Sequence, residues 1–300
     1  MKWSRRDMNR INKYAVPLMN GIIFLAIACL LITLGILVFD TGLLKATIWI
    51  VMKMFYPFVG IFLVVFALVM LIIIKGKVVA KLLLVALATL YLVPLLLLIN
   101  IIYVPYPADL ATTEPQLIAS WPFKNPTVVG WGGDDPQGNL PHAIWASERW
   151  AYDIVSEPYN TGSTNLEAYG IYGEKVYAPV SGTIVQVVID EPDVAPNTDK
   201  FSIAEGNHVY IHVAATDSYV LLSHLKQGTI DLKVGDSVEV GDYIGEIGNS
   251  GSTSEPHLHM HHQKQHPKDV LIPTAAIGLP LYFKVDGNVI MPEKDMIIKP

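Results

Sequence analysis

Three apolar runs fill the first third of this 300-residue chain and limit what it can fold into. They cover about residues 15–39, 55–74 and 78–103. Each has roughly the 20 residues that cross a hydrocarbon core of about 30 Å. Backbone polar groups in lipid must be satisfied within the segment, so each run is expected to be a transmembrane helix. The first run is too long for a signal peptide, and no small-residue cleavage site follows it. Pro94 and Asn100 in the third run are tolerable in a helix that packs against neighbours.

Charge separates this region from the rest. Residues 1–103 hold ten Lys and Arg against only Asp7 and Asp40, a formal +8, whereas residues 104–300 hold eleven against 25 acids, a formal −14. So acidic a region is a poor partner for nucleic acid. Lys2, Arg5, Arg6, Arg10 and Lys13 precede the first run, and Lys75, Lys77 and Lys81 lie between the second and third. The hairpin between the first two is expected to carry Lys45 and Lys53, and the twenty residues after the third have no Lys or Arg. The basic tail and second loop are therefore expected in the cytoplasm, with the C-terminal region extracytoplasmic. No run carries Asp, Glu, Arg or His deep in its core, so anchoring in the lipid bilayer is favoured over transport. Residues 104–120 read as a linker and 121–300 as a second domain.

All nine histidines lie in that second region, and the single cysteine, Cys29, excludes an internal disulfide or a cysteine metal site. Short alternating segments separated by glycines predict a mainly-β domain, with antiparallel sheets in a sandwich or partly open barrel. Strands are expected at about 148–155, on either side of Gly182, at 206–213 and 219–225, and lastly at 278–283. The stretch Gly248 to His262 opens with turn formers and then alternates. His257, His259 and His261 should share one strand face, with Leu258 and Met260 on the other. Imidazole is the commonest protein ligand for zinc and titrates near neutral pH. His212, His262 and His266 are expected to be solvated.

Several phrases together resemble the lysostaphin-like, LytM-type zinc endopeptidases, which cut peptides of peptidoglycan. They are Val176–Gly182, Gly206-Asn207, Ser223-His224-Leu225, Val234-Gly235-Asp236 through Gly245, and Gly248-Asn-Ser-Gly-Ser-Thr through Pro256-His257-Leu258-His259. The phrases stand in the family's order and leave out the membrane third. The resemblance implies a Zn2+ cofactor, with Asp153 and His259 as ligands. It makes His257 a general base and His224 a stabiliser of charge on the attacked carbonyl.

One position departs from the family pattern. A zinc-binding His usually stands four residues before the Asp, and here that residue is Arg149. Guanidinium has no lone pair to donate. The third ligand is then expected from His142 or His208, with His261 less favoured. Arg149 is expected on the face of Asp153, paired with that carboxylate or with a substrate carboxylate. Arg149 and Asn207 are thus the candidate substrate contacts. These features imply a membrane-anchored zinc endopeptidase. The alternative is an inactive relative that binds wall peptides or regulates another hydrolase. A biotinyl-type carrier would need a lysine at the turn after Gly248, which has none.

Overall fold

The computed structural model describes residues 5–99 and 101–300; Lys2 and Asn100 lie outside the described residues. Two compact units, 1–104 and 105–300, divide the chain.

The first unit consists of α1 (Arg5–Phe39), α2 (Leu43–Ile73) and α3 (Val78–Leu98). All three are long and apolar enough to cross a membrane. Gly60 permits close approach of α2 and α3, since a Cβ there would stand 2.8 Å from Leu92 Cγ. Tyr91 on α3 donates its hydroxyl to the Ala26 carbonyl of α1 at 2.9 Å, which satisfies a polar tip inside an apolar bundle.

Three boundaries differ from the sequence expectation, the first being that of α1, which begins at Arg5 rather than near residue 15. Helix α2 begins twelve residues earlier than the expected run, so Lys45 and Lys53 lie within it rather than in a hairpin, and Lys53 is buried. Residues 43–56 contain no Gly or Pro, so nothing in them stops a helix before Gly42. Helix α3 stops at Leu98 rather than 103. A cluster of β-branched residues before Pro105 opposes its extension.

The second unit is mainly β. Its strands are β1 (Leu117–Ala119), β2 (Thr127–Trp131), β3 (Tyr152–Val155), β4 (Lys175–Tyr177), β5 (Gly182–Val188), β6 (Asn207–Val213) and β7 (Ser218–Leu225). They continue with β8 (Ser237–Val238), β9 (Tyr243–Glu246), β10 (Leu258–Gln263), β11 (Gly278–Leu279), β12 (Leu281–Val285), β13 (Asn288–Ile290) and β14 (Ile297–Ile298). A short helix, α4 (Leu140–Ala143), precedes β3. The main sheet has nine strands in the order β14-β2-β3-β10-β7-β6-β5-β8, with β11 paired to β10. Smaller sheets are β1-β12-β13 and β4-β9. Pairing is antiparallel except between β1 and β12, and the main sheet does not close into a barrel.

Alternation on β10 decides which face is core. Leu258 and Met260 pack with Tyr152, Ile154 and Leu222 in one apolar cluster. Truncating such a side chain, as in Leu258→Ala, costs about 2–5 kcal/mol. The opposite face carries His259, which lies directly across from Asp153 on β3 and from Ser223 on β7. Opposed residues on one face bring their Cβ atoms to about 5 Å, so the sheet itself sets His259 beside Asp153.

Other strands also depart from expectation. Residues 117–119, expected as linker, form β1 because Leu117 and Ala119 are buried. The strand expected from 148 begins only at Tyr152; Glu148 to Ala151 is a turn closed by a 2.8 Å bond from Ala151 N–H to the Glu148 carbonyl. The segment 278–283 is split into β11 and β12, and two further strands follow it. His262, expected in solvent, is fully buried between Pro280 and Ser218.

Candidate metal centre

Three side chains converge at one end of β3 and β10. His142 Nε2 stands 3.2 Å from Asp153 Oδ1, and His259 Nδ1 stands 3.0 Å from the same oxygen. The three offered ligand atoms lie within 4.8 Å of one another. Tetrahedral ligands at about 2.0–2.1 Å from zinc stand about 3.3 Å apart, so the donor set fits that ion.

His142 is prepared for this by its own helix. Asn139 Nδ2 donates to the Gly133 and Ala151 carbonyls at 3.2 and 3.1 Å. Its Oδ1 is thereby turned to His142 Nδ1 at 2.8 Å. An amide oxygen only accepts, so the ring proton sits on Nδ1 and the Nε2 lone pair faces Asp153. The i, i+3 spacing of Asn139 and His142 places them on one side of α4.

Burial alone would raise the Asp153 carboxyl. Electrostatic attraction to His142 and His257, with the close approach of His142 Nε2 and His259 Nδ1, holds it well below the usual range. Burial lowers His259, but Asp153 reverses this, helped by Glu148 and Glu205, and the net shift is upward. A metal entering here would displace a proton from that ring.

Two more imidazoles border the group. His257 Nδ1 donates to the Glu255 carbonyl at 2.7 Å, leaving its Nε2 lone pair 3.4 Å from Asp153. His224 Nδ1 donates to the Ser250 carbonyl at 2.8 Å, and its ring lies 4.7 Å from that of His257. Strand alternation would bury His224 with Val220 and Leu222. Its φ of 61° breaks the alternation and brings it to the site face. Burial, and then the neighbouring His257 and His259, lower its pKa well below the ordinary value. The neutral ring has no N–H at Nε2, so the charge-stabilising role implied by family resemblance requires prior uptake of a proton.

The loops that hold these rings are packed backbone to backbone. Gly206 has φ +60°, and a Cβ there would lie 2.2 Å from the Ser250 carbonyl oxygen. Gly251 has φ +84°, and its Cβ would lie 2.4 Å from the Ala204 oxygen. A cleft of about 450 Å³ opens over the centre, lined by His142, Asp153, His224, His257 and His259 with Trp145, Glu148 and Glu205 on its walls.

Other candidates are placed elsewhere. His208 Nδ1 is bonded to the Gly206 carbonyl and its Nε2 to Gln186 Nε2, so both nitrogens are engaged away from the ligand group. Asn207 is fully buried; its amide bonds the Glu191 and Leu225 carbonyls and the Glu191 N–H. It pins a loop to β7 and faces no cleft. Arg149 does not reach Asp153, because the turn at 148–151 takes it off that strand face. It donates to Asp134 Oδ1 at 2.8 Å and to the Asp134 carbonyl at 3.1 Å. His261 stands behind His259, 3.1 Å from its Nε2; burial, then His259, push its pKa down to about 3. Asn139, Ser250 and Asp134 went unread in the sequence. Only Asn139, three residues before His142, leaves a local signal.

Residues 164–270 match the model of Peptidase family M23. The β unit therefore contains a segment similar to Peptidase family M23, in one chain with three apolar helices. His224, His257 and His259 fall inside the matched segment, whereas His142, Arg149 and Asp153 precede it. A stretch of 76 residues is 41% identical to an uncharacterized metalloprotease of Buchnera aphidicola subsp. Baizongia pistaciae (strain Bp), covering 24% of this chain and 19% of that protein. The chain thus spans about a fifth of the relative it matches. Among solved structures, a zinc containing peptidase from Vibrio cholerae is 20% identical over 43% of this chain and 28% of its own, with a TM-score of 0.26. The catalytic domain of the antimicrobial peptidase lysostaphin from Staphylococcus simulans is 18% identical over 56% of this chain and 90% of its own, with a TM-score of 0.29.

Proposed function

We propose that this chain is a membrane-anchored zinc endopeptidase that hydrolyses peptide bonds of peptidoglycan, with a cytoplasmic N-terminus and an extracytoplasmic β unit. The observation that carries the reading is the convergence of His142 Nε2, Asp153 Oδ1 and His259 Nδ1 under an open cleft, beside two further imidazoles. The peptidoglycan substrate is supported by the LytM-type domain, and the orientation by the Lys and Arg asymmetry.

Zinc held by these three residues supplies a Lewis acid that activates water near neutral pH. The chain's own residues do the rest. His257, with its proton fixed on Nδ1, takes a proton at Nε2 from the attacking water. The water oxygen bonds to the carbonyl carbon, the C–N bond breaks, and the same Nε2 returns the proton to the leaving amine. His224 would take a solvent proton at Nε2 as negative charge develops on the carbonyl oxygen, donate it there as a hydrogen bond, and release it to solvent when the carbonyl re-forms.

The test uses the full-length chain in detergent with purified peptidoglycan. Zinc-dependent release of new amino groups, abolished by a chelator and by His257→Ala, is expected. Tight zinc binding with no release of amino groups under any condition replaces this reading with that of a non-catalytic wall-binding relative.

A further inference from the structure

Behind His259 lies a line of hydrogen bonds that hydrolysis itself does not need. His259 Nε2 meets His261 Nδ1 at 3.1 Å, and His261 Nε2 meets Gln263 Oε1 at 2.8 Å. Gln263 Nε2 in turn donates to the Gln265 carbonyl at 2.7 Å. Residues 259, 261 and 263 follow one another along one face of β10, and all three are buried.

The direction of every bond in this line is set from its far end. The Gln265 carbonyl can only accept, so the atom of Gln263 facing it is the amide nitrogen. Oε1 is left to face His261, and it too can only accept. The His261 proton is therefore on Nε2, and its Nδ1 carries the lone pair. That lone pair accepts from His259, so the His259 proton is on Nε2. In the neutral, metal-binding ring, what remains at His259 Nδ1, the atom beside Asp153, is a lone pair.

We propose that His261 is a positioning residue: with Gln263 it selects the His259 tautomer whose Nδ1 is free to bind a divalent metal. This rests on the ligand assignment above and extends it. Without the relay, a neutral His259 can equally place its proton on Nδ1, donate it to Asp153 at 3.0 Å, and offer the metal nothing. His142 receives the same service from Asn139, so two ligands have their tautomers set by amides from opposite sides. His261 itself is no ligand, because its only lone pair is turned toward the back of His259. A period-two row of three histidines thus divides into a base at 257, a ligand at 259 and the ligand's support at 261.

The experiment measures zinc affinity of the full-length chain by competition with a chromophoric chelator. His261→Phe keeps a buried ring but removes the acceptor, and should weaken zinc binding by about 10–100-fold. His261→Asn returns an acceptor oxygen near the position of Nδ1 and should recover affinity to within about threefold of wild type, because His259 Nε2 again has an acceptor. Gln263→Leu leaves His261 in place but frees its tautomer, and serves as the second variant should His261→Phe not fold; it should also weaken binding. Long-range 15N spectra of the zinc-loaded wild type should show His259 protonated at Nε2. Equal affinity of His261→Phe or Gln263→Leu and wild type, equal losses in His261→Phe and His261→Asn, or a proton on His259 Nδ1 overturns the proposal while leaving the ligand set standing. A wild-type chain that binds no zinc removes the ligand set and the relay together.

Discussion

Arg149 and Asp134 form a close ion pair, with Nη2 2.8 Å from Oδ1, and this keeps a permanent cation out of the metal centre. Trp150 Nε1 donates to the same oxygen at 2.7 Å, so one carboxylate organises the turn that precedes Asp153. At an effective dielectric near 20, a cation 4 Å from a divalent metal would be opposed by several kcal/mol. Turned to Asp134, Arg149 neither binds nor repels the ion.

Arg149→His should therefore add less than about threefold to zinc affinity, because position 149 does not face the ligand group. Asp134→Ala should instead destabilise the β unit by about 1–3 kcal/mol. It strands a buried guanidinium, although the exposure of Asp134 lowers the cost below that of a fully buried pair. Chelator competition reads the first effect and denaturant unfolding the second. Strong new zinc binding in Arg149→His would show that the wild-type site is incomplete.

The two histidines left open by the sequence should separate cleanly. His142→Ala removes a ligand, and zinc affinity should fall by more than the roughly 10–100-fold that losing a ligand's hydrogen-bond partner costs. His208→Ala touches only bonds to Gly206 and Gln186, so it should keep zinc and lose some stability. Metal content after dialysis distinguishes them. The opposite pattern would transfer the third ligand to His208.

Ligands and base should also separate. Asp153→Ala and His259→Ala should lose zinc, while His257→Ala keeps it and loses about 10²–10⁴-fold in turnover. The paired readouts are metal stoichiometry and the release of amino groups. Full zinc occupancy in Asp153→Ala would refute its assignment as a ligand.

Acid should weaken the β unit through His262. Burial pushes this ring down to about 4, against about 6.5 in an unfolded chain. The unfolded state then binds more protons between those values. The stabilisation is complete above about pH 6.5 and is lost as pH falls through about 4, with a size on the order of 3 kcal/mol. Melting of the metal-free chain from pH 7 to 4.5 should show this slope, and His262→Gln should flatten it. An unchanged slope in the variant would assign the acid sensitivity to other groups.

Orientation can be read on intact cells. Added protease should remove the β unit and leave the three apolar helices. Complete protection of the C-terminus would place it in the cytoplasm and end the assignment to the wall.

What the sequence made legible is what repeats locally. Apolar length marked three helices, and period-two alternation set Leu258 and Met260 against His259 and His261 on opposite faces of β10, with His257 just before it. Features made by distant partners left no such trace. The bond from Arg149 to Asp134 depends on a turn that ends the expected strand early. His262 looks like the next member of a polar run, yet Pro280 and Ser218 enclose it. His224 reaches the centre only through a left-handed residue, which alternation does not foresee. The early start of α2 was hidden because Lys45 and Lys53 read as loop charges, whereas a helix admits them.

The paired glycines, Gly206 and Gly251, divide this domain's freedom to evolve. Each is closed chiefly against backbone atoms, with the Ser250 side chain also against Gly206, so removing a side chain elsewhere does not make room for a Cβ at either position. The Ser250 carbonyl between them also accepts from His224, so drift in this loop would displace that ring. Variation is then left to the rim of the cleft, at positions such as Pro141, Trp145 and Thr274, around an interior that stays fixed.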